Sequence, residues 1–311
     1  MAKLHRKRTI LVKAEAAGSY GTDPTPTGSA NAVLVTDLEL EPIVSDEVSR
    51  EVIRPYLGNF DTLLANRRAT VSFSCELAGS GTAGTQPRFA PALLACGMEV
   101  TTVSSTSNTY TPISASLPSC TIYVNYDGVL QALTGCRGTF SIEASVGEIP
   151  KINFEMTGLF NNPSDTALPT CTYLAADPVI FKKDNVTNFE IFGYAGACES
   201  WSLDMSNEIT YRELVGGTKE VLLTNREPSG SLVVEAVALS AHNFINDAVG
   251  SSTGTNKFIH GTTGGNKIEI SCPTTDLGSP TYGDSDGITT MELPFVAVPN
   301  AGNDEVSIKF F

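Results

Sequence analysis

Apolar and polar side chains alternate with a period of two along three long stretches of the chain, residues 33–41, 70–77 and 151–157. This period places alternate side chains on opposite faces of a β-strand, so that one face is buried and the other meets water. In the first stretch the buried face is predicted to carry Leu34, Leu38 and Leu40. Residues 119–126 are also rich in strand-forming side chains and precede Asp127-Gly128, a typical hairpin turn. The pattern predicts a mainly β fold.

Two segments have the composition of helices. Residues 87–96 carry a proline near the start and are followed by Gly97. Residues 240–249 begin with Ser240, a capping residue type, and are followed by Gly250. Both segments are short and each follows a predicted strand, so the sequence predicts one short helix in each half of the chain.

A repeated order of motifs indicates an internal duplication. Ser45-Asp-Glu-Val48 resembles Ser206-Asn-Glu-Ile209 at an offset of 161 residues. Asn66-Arg67 resembles Asn225-Arg226 at an offset of 159 residues, and an alternating strand follows each motif. Because the order is kept, we interpret the two halves as copies of one unit.

The later parts of the repeat keep the same order. The two helix-ending glycines lie 153 residues apart, and residues 149–156 resemble residues 288–295 at an offset of 139. The shrinking offset indicates that the second copy has lost loop residues. We therefore predict a first domain at residues 1–165 and a second, shortened domain at residues 166–311, with a proline-containing linker at residues 161–177.

Each copy has a long connection before its Asn-Arg strand, at residues 43–65 in the first copy and 208–224 in the second. A connection of more than about 15 residues inside a compact domain is usually functional. Apolar side chains on such an arm indicate a partner surface, and the alternative is that the arm folds back on its own domain. The predicted interface residues of the first arm are Val44, Val48, Ile53, Tyr56, Leu57, Phe60, Leu63 and Leu64.

Composition narrows the class of protein. The chain has 311 residues, a formal charge of −14, 41% apolar and 17% charged residues, which fits a globular core and excludes collagen, coiled coil and wholesale disorder. The first ten residues carry four basic side chains and no acid, so the other 301 residues carry −18. Residues 11–311 are so acidic that we do not expect them to attract DNA phosphates. The basic segment at residues 1–10 either contacts an anionic neighbour or stays solvated. We expect neither a membrane span nor a secretory signal.

The sequence shows no catalytic constellation. His5, His242 and His260 lack metal-ligand spacing to one another or to a cysteine. Gly283-Asp-Ser-Asp-Gly287 matches a nucleophile-elbow pattern but precedes a predicted strand, so we interpret it as a chance match. Seven cysteines without a C-x-x-C pair are typical of buried, reduced thiols in a cytoplasmic product. We expect no enzyme activity, no metal and no cofactor.

The opening segment has the sequence Glu15-Ala-Ala-Gly-Ser-Tyr-Gly-Thr-Asp-Pro-Thr-Pro26, and Asn31-Ala32 and a strand ending in acids follow it. This order of motifs resembles major tail tube proteins of long-tailed (siphovirus-type) bacteriophages. The arm, the Asn-Arg strand, the short helix and the closing strand pair follow that family's order, more loosely in the second copy. The resemblance implies two tandem β-sandwich tail-tube domains, each with one short α-helix, that contribute strands to a shared inner β-barrel. It further implies rings that stack into a tube for DNA ejection.

The resemblance also implies partners and a location. Two copies in one chain imply a homotrimeric ring with pseudo-sixfold symmetry, with a hexamer as the alternative, beside other tail proteins such as tape measure, tail terminator and distal tail protein. The protein is expected in the virion tail after assembly in the host cytoplasm, and genomic DNA is expected only transiently in the lumen. An acidic wall lets DNA pass without forming ion pairs. The candidate lumen-facing acids are Asp37, Glu39, Glu41, Glu76, Glu143, Glu155, Glu235 and Glu292.

Two other classes of protein stay open at this point. One is another β-rich virion component, such as a capsid decoration or tail-terminator protein. The other is a carbohydrate-binding β-protein, against which the single tryptophan and the lack of a paired-acid motif count, because sugar sites usually offer aromatic platforms.

Overall fold

Antiparallel β structure dominates the fold. A computed structural model of the chain describes residues 2–174 and 177–311. These residues form twenty β-strands and three short α-helices, which confirms the prediction of a mainly β fold. No helix in this part of the chain is both long enough and apolar enough to cross a membrane.

The strand predictions hold for the most regular alternating stretches. Residues 70–77 and 151–157 fall almost entirely within strands, and residues 119–126 form a strand that the turn Asp127-Gly128 joins to the next. In chain order, the elements of the first half are β1 (Arg8–Ala14), α1 (Gly28–Asn31), β2 (Ala32–Val33), β3 (Thr36–Ser49), β4 (Thr62–Glu76), α2 (Ala90–Ala95), β5 (Met98–Val103), β6 (Ser107–Pro112), β7 (Cys120–Tyr126), β8 (Val129–Ser145), β9 (Lys151–Phe160) and β10 (Ser164–Asp165).

The second half holds ten further strands and one helix. In chain order they are β11 (Val186–Ile191), β12 (Cys198–Asp204), β13 (Asn207–Glu213), β14 (Lys219–Arg226), β15 (Ser229–Glu235), α3 (Phe244–Val249), β16 (Thr253–His260), β17 (Ile268–Leu277), β18 (Thr281–Ser285), β19 (Ile288–Ala297) and β20 (Ser307–Phe310).

One sheet, which we call the long sheet, runs through both halves of the chain. Its strand order is β3-β4-β9-β8-β12-β15-β19-β18, and each neighbouring pair is antiparallel. The first four strands come from the first half and the last four from the second. The two halves meet where residues 141–145 of β8 pair with residues 200–204 of β12.

A second layer of strands covers the apolar face of the long sheet. It contains the orders β2-β1-β7-β8-β10 and β11-β16-β17-β20-β6-β5. Strand β8 belongs to both layers because its register shifts between Thr134 and Arg137. The core lies between the layers, where Phe73 and Phe154 stack with ring centroids 5.2 Å apart. Burial of each phenylalanine contributes about 1.5–3 kcal/mol.

Both predicted helices exist but are shorter than predicted. Helix α2 starts three residues later than the predicted segment and ends one residue earlier, and Gly97 follows with a φ of 80°, which glycine adopts without strain. Helix α3 starts four residues later because the cap is Asn243 rather than Ser240. The Asn243 side chain accepts a hydrogen bond of 3.0 Å from the backbone N–H of Asn246.

The predicted strand at residues 33–41 is interrupted, and its first buried position is wrong. Leu34 is 60% exposed, because β2 ends before it and β3 begins at Thr36. Asp37 then adopts a positive φ of 52° at a register shift in the β3–β4 ladder. This bulge resets the alternation, so Leu38 is buried while the acids that follow it face away from the core.

Candidate functional site

The eight acids predicted to line a lumen lie on one face of the long sheet. The register aligns Glu39, Ser72, Glu155 and Thr139 in one row across β3, β4, β9 and β8, with the side chains of the adjacent positions buried in the core. Alternation along each strand places the other acids on this side, which we call the polar face. All eight are exposed, and they are Asp37, Glu39, Glu41, Glu76, Glu143, Glu155, Glu235 and Glu292.

A ninth acid belongs to the polar face although the sequence analysis missed it. Asp204 lies opposite Ser141 of β8 and Ser229 of β15, and it is exposed. The signal was present in the sequence, because Trp201 and Leu203 alternate with polar residues and are both buried.

One lysine lies among these acids. Lys151 is aligned between Glu76 and Glu143, and its ammonium nitrogen lies 3.3 Å from the carboxylate of Asp37. A side-chain hydrogen bond from Thr36 and the ammonium of Lys151 lower the pKa of Asp37. The remaining acids of the polar face outnumber this lysine, so the face is negative at neutral pH.

The first arm is a hairpin that extends β3 and β4 beyond the core. Residues 44–49 pair with residues 62–68, and residues 50–61 form the tip. At the tip the guanidinium of Arg54 lies 4.2 Å from the ring centroid of Phe60, which is half-buried like Val44. The other predicted interface residues are exposed, and they are Val48, Ile53, Tyr56, Leu57, Leu63 and Leu64.

The second connection is the hairpin β13–β14, and it packs on the first half of the chain. The Asn207 amide donates to the carbonyl oxygens of Cys96 at 2.8 Å and Gly138 at 2.9 Å. The buried guanidinium of Arg137 donates to the Val221 carbonyl at 2.6 Å. Sequence reasoning missed these contacts, because they join residues that lie 69 to 111 positions apart.

The two borders of the long sheet have free edges. Within the described residues, β3 pairs only with β4, and β18 pairs only with β19. A strand with one partner exposes a row of backbone N–H and C=O groups, which is a template for pairing with another chain. The long sheet thus ends in two surfaces suited to association.

No group of histidine, cysteine and acidic residues within residues 2–174 and 177–311 has a metal-binding arrangement. His260 Nε2 lies 3.1 Å from the Val179 carbonyl, and burial lowers its pKa. Gly283-Asp-Ser-Asp-Gly287 forms the turn between β18 and β19, a strand–turn–strand context that does not suit a nucleophile elbow. Burial also raises the thiol pKa of five cysteines.

Comparison with known proteins agrees with this geometry. No curated protein matches the chain. A family model described as phage tail tube protein matches residues 6–299, nearly the whole length. A mainly β subunit with free sheet edges, an exposed apolar arm and one acidic sheet face is suited to form a tube around DNA. The chain therefore belongs to the phage tail tube protein family, whose members are structural components of the virion.

Proposed function

We propose that this protein forms trimeric rings in which each chain supplies two tail-tube domains, residues 1–165 and 166–311. The support is the repeated strand order of the long sheet. The order β3-β4-β9-β8 in the first half corresponds to β12-β15-β19-β18 in the second. Six equivalent domains around a ring then require three chains.

The join between the two halves supports a specific way in which one chain meets the next. Strand β8, the last of the first set of four, pairs with β12, the first of the second set. The equivalent strands at the free edges are β18 and β3. Pairing of β18 with β3 of the next chain repeats the internal join, and three chains of eight strands close into a barrel of 24 strands. Closure removes every exposed edge of the long sheet.

In this ring the polar face lines the lumen. The core occupies the opposite side of the long sheet, so the polar face is the side left for the channel. The nine acids outnumber Lys151 and repel DNA phosphates, so that DNA moves past the wall without ion pairs to break.

The arms join rings and neighbouring subunits. Ile53 and Leu57 at the tip of the first arm are fully exposed, at 104% and 101%, which is unfavourable for an isolated chain. Burial of these side chains against other copies removes the apolar surface from water. Other tail proteins, such as the tape measure, tail terminator and distal tail proteins, are further partners of the stacked rings, and assembly takes place in the host cytoplasm.

Electron microscopy and mass measurement of the overexpressed chain test this proposal. Negative-stain images are expected to show long hollow cylinders, and native mass spectrometry of disassembled rings is expected to give three chains. A mass of six chains overturns the trimeric ring. Compact single particles under every assembly condition overturn the assembly itself.

A further inference from the structure

The hairpin β13–β14 fills a site on the first domain that has a counterpart on the second. Ile209 of this hairpin and Thr157 at the end of β9 line the same cleft, and both are half-buried. Nearby, the guanidinium of Arg68 lies 6.0 Å from the ring centroid of Tyr211. The hairpin thus covers the end of β9 and faces the base of the first arm.

The repeat assigns counterparts to both of these cleft residues. Ser206-Asn-Glu-Ile209 matches Ser45-Asp-Glu-Val48, so Val48 of the first arm corresponds to Ile209. The offset of 139 residues between β9 and β19 makes Val296 the counterpart of Thr157. Val48 is 51% exposed and Val296 is 48% exposed. Ile209 and Thr157 are thus half-buried in one cleft, whereas their counterparts Val48 and Val296 are exposed.

Val296 lies in the wall of a groove of about 560 Å³. The end of β19 forms one side of the groove and residues 223–228, at the end of β14 and just beyond it, form another. These are the second-domain counterparts of the end of β9 and the base of the first arm. The groove therefore has the parts that the hairpin β13–β14 meets on the first domain.

The arm of the same chain does not reach this groove. In the long sheet, β3 lies six inter-strand spacings from β19, or roughly 29 Å. In the proposed ring, β3 of the next chain lies beside β18 and only two spacings from β19, about 10 Å. This is the separation of β12 from β9, which places the hairpin β13–β14 in its cleft.

We propose that the groove at the end of β19 is the docking site for the first arm, residues 43–65, of a second copy of this chain, with Val48 of that copy against Val296. The inference rests on the proposed ring and names the surface through which one subunit holds the next. Both contact residues are apolar, and their association removes two half-exposed valines from water.

Disulfide trapping tests the contact. The double variant Val48→Cys with Val296→Cys is assembled into tubes and oxidised with copper phenanthroline, beside the two single variants as controls for the native cysteines. Non-reducing gels are expected to show covalent dimers and trimers for the double variant and monomers for both single variants. Tubes that form normally but yield only monomers overturn the docking site while leaving the ring intact. If the wild-type chain forms no tubes, this result overturns both the proposed ring and the proposed docking site.

A second pair of variants covers the case in which the cysteines disturb assembly. Val296→Asp places a charge in the groove and is expected to abolish tubes while the folded monomer persists by circular dichroism. Val103→Asp is the matched control, because Val103 is 52% exposed on the β5–β6 hairpin, and it is expected to assemble normally. Normal tubes from Val296→Asp overturn the docking site.

Discussion

Arg137 joins the hairpin β13–β14 to the first half of the chain, and its removal should loosen that hairpin. The guanidinium donates to the carbonyl oxygens of Leu117 at 2.9 Å, Pro118 at 3.2 Å and Val221 at 2.6 Å. It also lies 4.8 Å from the ring centroid of Tyr20, and the side chain is only 9% exposed. One buried cation therefore connects the bend of β8, the loop before β7 and strand β14.

The substitution Arg137→Met keeps the length of the side chain but removes its donors. Each hydrogen bond to a charged group contributes about 1.5–3 kcal/mol to the free energy of unfolding. Removal of the buried charge also removes its desolvation cost of several kcal/mol, which offsets part of this loss. We expect the free energy of unfolding to fall by about 2–4 kcal/mol. Arg50→Met is the control, because the Arg50–Asp61 pair is 53% and 65% exposed, and its loss should cost less than about 1 kcal/mol.

Urea unfolding of the unassembled chain, followed by circular dichroism, measures the two free energies. Hydrogen exchange then locates the change, since amides of β13 and β14 should exchange faster in Arg137→Met while β4 and β9 stay protected. Ordinary surface substitutions change the free energy of unfolding by less than about 0.5 kcal/mol. The structural role of Arg137 is refuted if the free energies of the two variants differ by no more than this and hydrogen exchange in the hairpin is unchanged.

Replacement of Glu155 and Glu292 by lysine should slow DNA ejection from phage severalfold, measured by dye release, because phosphates then meet cations in the channel. The control Glu99→Lys, which lies outside the long sheet, should leave the ejection rate unchanged. Equal ejection rates for the two variants contradict the lumen assignment. Leu57→Asp should leave soluble, folded chains without tubes in electron micrographs, since Leu57 is 101% exposed and contributes little to folding. Burial lowers the pKa of His260 in the folded chain, so the unfolded chain binds more protons below pH 6.5. The free energy of unfolding should therefore fall as pH drops from 7.5 to about 5.5, and a His260→Gln variant with the same pH dependence contradicts this cause.

Alternation predicted the strands well where a single face meets the core throughout. Strands β4 and β9 keep this pattern, and their acids lie on the predicted side. The prediction was wrong at Leu34, because the bulge at Asp37 is a register feature of the β3–β4 ladder and does not show in local pattern. It also missed Asp204, although Trp201 and Leu203 alternate with polar residues in β12 and so indicated an exposed face there.

The connections show a sharper limit of sequence reasoning. The sequence indicated two long arms, and both are hairpins. Nothing in the composition of the second arm distinguishes a free hairpin from one that packs on the first half. Asn207 and Arg137 decide this through bonds to backbone carbonyls that are distant in the chain.

The sequence by itself determined the β class, the position of most strands and which side chains share a face, because a period of two depends only on neighbouring residues. Tertiary structure alone decided which strands are neighbours, where the edges stay free and which apolar residues remain open. These properties depend on the pairing register and packing of strands that lie far apart in the chain, so no local pattern encodes them. Val48 and Val296 are ordinary valines in the sequence, and only the tertiary structure places their counterparts Ile209 and Thr157 in one cleft within the chain.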